Sequence, residues 1–558
     1  MAASLPESPL TLSRRTFLGS AAAGAAAVSS LPLGQAVAAS PVGDVVGKIT
    51  VGYQGWFACA GDNAPINGWW HWALDWSRTP SPSNRAILSW PDMREYAAGY
   101  ATAFSRLGNG GPATLFSSYD QSTVDTHFRW MQQNGCDTAA LQRFNPNGGE
   151  GATRDAMALK VRSAAESYGR KFYVMYDVSG WRTMQPEIKA DWLNKMSALV
   201  ASSAYARQNG KPVVGIWGFG FNDDNHPWSA AVCLDVITWF KSQGCYVMGG
   251  VPTYWREGKN DSRAGYLDVY HAFNMISPWM VGRIGDAAGS DWFYQNVNLG
   301  DQADCNARGI DYQPCVLPGD LSARQRAHGD FMWRQFYNLV RLGSQGLYIS
   351  MFDEFNEGNQ IAKTAETAAF VPSGSGILAL DEDGTACSSD YYLRLTNDGG
   401  RMLKGLLPLT PTRPTQPVVG TTPPITQVVT LRARVNNRYV TAENAGAAAL
   451  IANRDAIGGW ELFELLEAGN GNIALRARAN GKLVCAETGG GSALIANRTA
   501  IGPWESFKLI RNSNGSVTLQ SLANNRYVTA ENAGAASLIA NRTAIGLWEQ
   551  FDLITPAR

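Results

Sequence analysis

The chain has 558 residues, more than one hydrophobic core usually serves, so two or more domains are expected. Lys plus Arg and Asp plus Glu are equal at 47 each, which leaves no basic excess to hold a polyanion and excludes nucleic acid as the main partner. A hydrophobic fraction of 45% with 17% charged residues describes a folded protein, and 19 Trp beside 20 Tyr and 20 Phe supply more flat rings than cores need, a surplus that suits stacking on sugars.

At the N-terminus, Ser13-Arg14-Arg15-Thr16-Phe17-Leu18 precedes a weakly apolar, Ala-rich stretch, and Ala36-Val37-Ala38 offers a cleavage site. This resembles a bacterial twin-arginine export signal over residues 1–38, so a secreted, extracellular protein is expected. No later run of 18 residues is apolar and free of charge, which predicts no membrane span. The eight cysteines show no C-x-x-C pair and the five histidines are scattered. We therefore expect no metal site and no cofactor; exported cysteines can form disulfides, but the sequence does not pair them.

From 45 to 405 apolar runs alternate with amphipathic stretches. Strands are predicted at 49–57, 138–144, 172–178, 213–219, 246–253, 275–281, 312–317 and 347–352, each short, continuous and rich in Val, Ile and aromatics, as buried parallel strands are. Helices are predicted at 123–134, 154–168, 189–208, 230–243 and 322–342. Eight strands alternating with helices read as a (β/α)8 TIM barrel. An open doubly wound sheet is the alternative, disfavoured because no Gly-rich phosphate loop follows the first strand.

Residues 406–427 change character, with Pro408, Pro411, Pro414, Pro417, Pro423 and Pro424 among Thr, Val and Gly, and predict a semi-rigid extended linker. Residues 428–558 are a threefold repeat. Leu450-Ile451-Ala452-Asn453-Arg454 returns as 494–498 and 538–542, and Trp460-Glu461, Trp504-Glu505 and Trp548-Glu549 recur at a constant spacing of 44 residues. Three all-β repeats with Asn/Gly turns predict a β-trefoil, and the stretch resembles the fascin-like β-trefoil modules attached to bacterial carbohydrate-active enzymes. One weak glycan site per repeat follows, with Trp460, Trp504 and Trp548 as stacking rings and Glu461, Glu505 and Glu549 as acceptors for sugar hydroxyls. Glu443, Glu487 and Glu531 are rival acceptors, and the phenylalanines at 463, 507 and 551 are assigned to the core.

In a barrel of this kind the site lies at the C-terminal ends of the strands. There the sequence places Tyr53, Trp56, Arg143, Asp177, Trp217, Tyr254 and Trp279, with His71 in the loop after the first strand. Aromatic and polar groups at so many strand ends suit a sugar cleft. The sharpest signal follows the last strand: Asp353, Glu354 and Glu357 put three carboxylates in five residues. Glycoside cleavage needs two carboxyl groups in different protonation states, and mutual repulsion with burial separates their pKa values. Strand alternation points Asp353 away from Glu354. The alternative is a helix N-terminus whose acids answer the macrodipole.

The run Glu354-Phe355-Asn356-Glu357-Gly358-Asn359-Gln360-Ile361 resembles the E-W-H-E-G-T-Q-I signature of glycoside hydrolase family 99 and its family 71/99-like relatives. Val51-Gly52-Tyr53-Gln54-Gly55-Trp56-Phe57, Trp70-His71-Trp72 and Asp390-Tyr391-Tyr392-Leu393 are similar to the start and end of bacterial 71/99-like barrels. The resemblance implies a retaining glycosidase, with Glu354 assisting the substrate's 2-hydroxyl as it attacks C1 and Glu357 as general acid/base. It also implies sugar contacts from Asn356 and Gln360. Asp353, Phe355, Asn356 and Asn359 depart from the family's residues and leave α-mannoside, α-glucan, or xylose- and arabinose-containing substrates all open. The expected protein is a monomer with a polysaccharide substrate and a glycan surface under its trefoil. A secreted lectin with a catalytically silent barrel is the alternative.

Overall fold

Strands buried on both faces can only be served by a closed layer of helices, and the computed structural model has that architecture. It describes residues 40–418, 425–468 and 472–556; the export signal and its cleavage site lie outside them. Eight parallel strands form the barrel: β1 (Ile49–Tyr53), β2 (Thr138–Arg143), β3 (Lys171–Asp177), β4 (Lys211–Trp217), β5 (Tyr246–Val251), β6 (Met275–Pro278), β7 and β8 (Leu347–Ile349). β7 runs in two pieces, Asp311–Tyr312 and Cys315–Val316, around Pro314, whose missing N–H breaks the ladder. The first piece pairs with β6 and the second with β8, while β8 pairs with β1, so the ring closes.

All eight predicted strands are present, ending up to four residues earlier where the chain turns into the loops of the barrel mouth. The helices differ more. A helix expected over 189–208 is instead a helix Met184–Asp191, a π turn Trp192–Met196 and a 3-10 turn Ser197–Ala201, after which Arg207–Gln208 pairs back onto β4. The helix predicted over 322–342 begins at Asp330 and ends at Arg341. The helix Tyr391–Leu403, which follows β8 in the chain and approaches β1 where a Cβ on Gly400 would stand 2.9 Å from Ile49, buries Tyr391, Tyr392, Leu393 and Leu395. All eight cysteines are buried free thiols.

The proline-rich stretch is tied to the barrel as far as Pro417. Its carbonyls accept from Trp333 Nε1 at Thr410 (3.1 Å) and from Arg394 at Gln416 (2.9 Å), and Ser388 N–H donates to Pro417 O (3.0 Å). Arg413 pairs with Asp330 at the start of the barrel helix Asp330–Arg341.

Beyond it, twelve antiparallel strands build the second domain, starting at Ile425. Each repeat contributes one Leu-Ile-Ala-Asn-Arg strand. Isolated bridges Ala449–Ile495, Ala493–Ile539 and Ile451–Ser537 join the first repeat to the second, the second to the third and the first to the third. That is the closed threefold arrangement of a β-trefoil. Phe463, Phe507 and Phe551 sit fully buried at its axis with Leu450, Leu494 and Leu538. Asn436, Asn480 and Asn524 tie each repeat together by donating to the carbonyls of Ala452, Ala496 and Ala540, all at 2.8 Å. Each Asn also presses on a neighbouring repeat's glycine: a Cβ on Gly446, at φ +82°, would stand 2.2 Å from Asn480 Nδ2.

Candidate active site

The turn after β8 is held from both sides. Asp353 accepts the main-chain N–H groups of Gln54 (2.7 Å) and Gly55 (2.8 Å), stitching the end of β1 to the end of β8. Arg326, from the loop after β7, donates to the carbonyls of Gly319 (3.0 Å), Gly358 (2.7 Å) and Gln360 (2.9 Å), with its guanidinium 4.4 Å from the Tyr392 ring. Gly358 has φ +71°, and a Cβ there would meet Asp320 Oδ1 at 2.8 Å, so this corner admits only glycine without displacing Asp320.

This frame fixes the two glutamates. Glu354 is 4% exposed; its Oε1 accepts from Gln54 Nε2 at 2.9 Å, while Oε2 has no hydrogen-bond partner among the described residues. Burial raises its pKa well above the ordinary value, and the charge of Glu357 pushes in the same direction. Glu357 stands at the rim, where solvent reaches it. Its pKa is raised too, by the protein around its carboxyl and then by Asp320. Asp353, wholly buried, is pushed up to about 6 by burial against the pull of its two N–H donors. The two glutamates thus titrate as an interacting pair with their proton affinity raised.

Both line one cleft of about 280 Å³ at the C-terminal mouth of the barrel. Gln142, Met175, Tyr348 and Met351 form the floor, where Gln142 Nε2 donates to Tyr348 Oη at 3.0 Å. Trp56 and Phe144 stack at 5.6 Å on one wall; Trp217 and Trp279 meet edge-on at 5.5 Å on another. Buried Arg154 stands behind the first wall, 4.8 Å from the Phe144 ring centre. Trp56 Nε1 and Trp217 Nε1 are buried without a partner among the described residues, donors available to a ligand. Asp177 and Ser179 complete the lining.

Of the residues expected from the sequence, Trp56, Asp177, Trp217, Trp279, Glu354 and Glu357 are brought together in this cleft. The others are placed elsewhere, mostly by strand alternation. Tyr53 points outward, its hydroxyl 3.0 Å from His127 Nδ1 on the helix after it. Arg143 likewise leaves the barrel, paired with Asp191 and Asp155, while its neighbours Gln142 and Phe144 face the cleft. His71 stacks behind Trp56 at 3.7 Å, and burial holds its pKa well below the usual range, so it is a neutral backing ring. Tyr254 packs at 6.0 Å on Phe293, outside the cleft. Gln360 is buried with its amide on Thr364 (2.8 Å). Asn356 lines an adjoining cavity of about 290 Å³ with Asn359, Asp320 and Gln325, and Glu357 borders both cavities. Ser179, Tyr348, Met351, Asp320 and Arg326 carry no signal in a single sequence that separates them from ordinary core or loop residues.

In the trefoil, Trp460 and Trp504 are 39% and 41% exposed, and Trp548 is half-buried with the Arg542 guanidinium 6.0 Å from its ring centre. The adjacent glutamates do not face solvent as sugar acceptors should. Glu461, Glu505 and Glu549 are buried and accept the N–H groups of Gly458, Gly502 and Gly546 at 2.7, 2.9 and 2.7 Å, which closes the loop before each tryptophan. Glu443, Glu487 and Glu531 lie outside, each bonded to an Asn at 2.7 Å and an Arg at 2.8 Å. A shallow surface pocket surrounds Trp504 between Arg498 and Glu505.

No family model and no curated protein matches the chain. Among solved structures it is similar to an endo-α-mannosidase of glycoside hydrolase family 99 from Bacteroides thetaiotaomicron, both alone (13% identity, TM-score 0.47) and with bis-tris-propane (14%, 0.46); each match covers 65% of this chain and 98% of that one. The designed threefold-symmetric protein ThreeFoil matches 23% of this chain and 99% of its own at 22% identity, with a TM-score of 0.22.

Proposed function

We propose that the barrel is a glycosidase that cleaves a polysaccharide or oligosaccharide with the pair Glu354 and Glu357, while the trefoil holds the protein on glycan. The observation that carries this reading is the buried Oε2 of Glu354, partnerless among the described residues, in a cleft it shares with Glu357 and five aromatic rings. A buried acceptor of that kind is stable only if it binds a proton or a ligand donor. Aromatic rings in the lining receive the apolar faces of sugars, and two carboxyls with raised pKa values supply a proton donor and a base. In this reading Glu357, at the rim, protonates the leaving oxygen. Glu354, deeper and oriented by Gln54, takes the proton of the attacking hydroxyl. Incubation with mannans, α-glucans, xylans and arabinans, followed by product analysis, tests it. Release of oligosaccharide from one of them supports the reading, and release from none contradicts it.

The trefoil's part rests on the exposed rings of Trp460 and Trp504. Several weak sites on one rigid module raise retention on an insoluble polymer. Secretion through the twin-arginine route rests on residues 13–18 alone; replacing Arg14 and Arg15 by Lys is expected to leave precursor in the cytoplasm.

A further inference from the structure

Two residues beyond the end of β3, Ser179 shares the cleft with Asp177. Its Oγ is 2.9 Å from His226 Nε2, and His226 Nδ1 is 2.7 Å from Asp223 Oδ1. By distance this is the Ser–His–Asp order of an acyl-transfer site. The backbone rules that chemistry out. An oxyanion needs free N–H donors, and here Ser179 N–H donates to Asp177 Oδ1 (2.9 Å), Gly180 N–H to Asn225 O (2.9 Å) and Trp181 N–H to Val178 O (3.0 Å). A carboxylate against the nucleophile would also oppose its developing charge.

The chain of bonds leads to Asp177 instead. Asp223 is fixed by the N–H of Asn225 (2.8 Å) as well as by His226. The imidazole lies among the rings of Phe221, Trp217 and Trp228, at 5.1, 5.5 and 6.0 Å, and cannot swing away. With its hydroxyl engaged by His226, Ser179 is held where its N–H donates to Asp177 Oδ1 at 2.9 Å. Burial raises the Asp177 pKa, and hydrogen bonding from Ser179 pulls it back.

We infer that Asp223, His226 and Ser179 form a positioning chain for Asp177, and that Asp177 confines the cleft to sugar units bearing no negative charge. This rests on the glycosidase reading of the same cleft. The lining holds three carboxyl groups, Asp177, Glu354 and Glu357, and the adjoining cavity adds Asp320; neither cavity is lined by a Lys or Arg. Arg154 stands behind the Trp56 and Phe144 rings, paired with Glu150 at 2.8 Å, so a uronate or other anionic sugar would meet the carboxyl groups of the lining with no cation in direct contact. Neutral hydroxyls find in Asp177 an oriented acceptor at the level of the aromatic walls.

The test uses the full chain and the polysaccharide it cleaves best, native and lightly carboxymethylated, with thermal melting as a check on folding. Wild-type protein is expected to prefer the native polymer by about tenfold or more in kcat/KM. Asp177→Asn should raise KM on the native polymer more than it lowers kcat and shrink the preference to below about threefold. His226→Leu should follow Asp177→Asn, and His226→Gln, which can still bridge Ser179 and Asp223, should stay near wild type. A preference unchanged in Asp177→Asn, or equal effects of Leu and Gln at 226, overturns the inference while the glycosidase reading stands. Cleavage of no polysaccharide overturns that reading, and this inference with it.

Discussion

Glu354 draws its chemistry from its surroundings rather than from its type. A carboxyl bonded on one oxygen and bare on the other, beside a second carboxyl, holds its proton to higher pH than in water. For Glu357 the sign is the same, so the acid is available below its raised pKa and is lost as pH rises through it. Asp320→Asn removes one of the two pushes on Glu357 and is expected to move the alkaline limb of the kcat/KM profile to lower pH, with the acid limb little changed. A limb that stays in place would separate Asp320 from the acid. At this scale the sequence was legible where carboxylates are dense: of the three after the last apolar strand, Glu354 and Glu357 line the cleft and Asp353 braces the turn behind them. It was not legible where the period of two decides. Arg143 and Gln142 are neighbours, yet one faces helix and the other the cleft, and the register that settles it comes from pairing with β3.

Elements inherit these constraints. Strand runs were readable because a closed parallel barrel buries both faces, and a continuous apolar run has few other uses. The stretch 189–208 misled because its apolar spacing suits a helix while Ser202, Tyr205 and the turn at Asn209 and Gly210 end it and start a hairpin. Trefoil elements were readable for a different reason: each hairpin occurs three times, so the repeat reports on itself. Phe507→Ala empties a site at the threefold axis, and a loss of about 3–5 kcal/mol is expected, read as a lower melting temperature for the trefoil transition with barrel activity on soluble substrate retained. Trp460→Ala combined with Trp504→Ala should leave melting nearly unchanged and abolish retention on insoluble glycan. If only the melting temperature moves, the rings are structural. The corresponding glutamates behave the other way: Glu505→Ala frees the N–H of Gly502 and is expected to cost stability by about 1–2 kcal/mol, with retention falling only as far as the loop is disturbed.

For the whole molecule, the barrel holds the carboxyl-lined cleft and the repeats carry the surface rings, joined by a segment that stays on the barrel to Pro417. Eight buried free thiols make a simple whole-chain expectation: the native protein should give almost no reaction with a thiol reagent, and eight equivalents after unfolding in guanidinium chloride. Fewer than eight would reveal disulfides. The central claim is that Glu357 is the acid and Glu354 its partner in one cleft, and it is tested most directly by the leaving-group dependence of Glu357→Gln. The account predicts a loss in turnover on the order of 10² or more on the polysaccharide, and a much smaller loss on an aryl glycoside of the same sugar, whose leaving group needs no proton. Glu354→Gln should lose a similar factor on both substrates. Near wild-type turnover of either variant on the polysaccharide, or an equal loss by Glu357→Gln on both substrates, would contradict it.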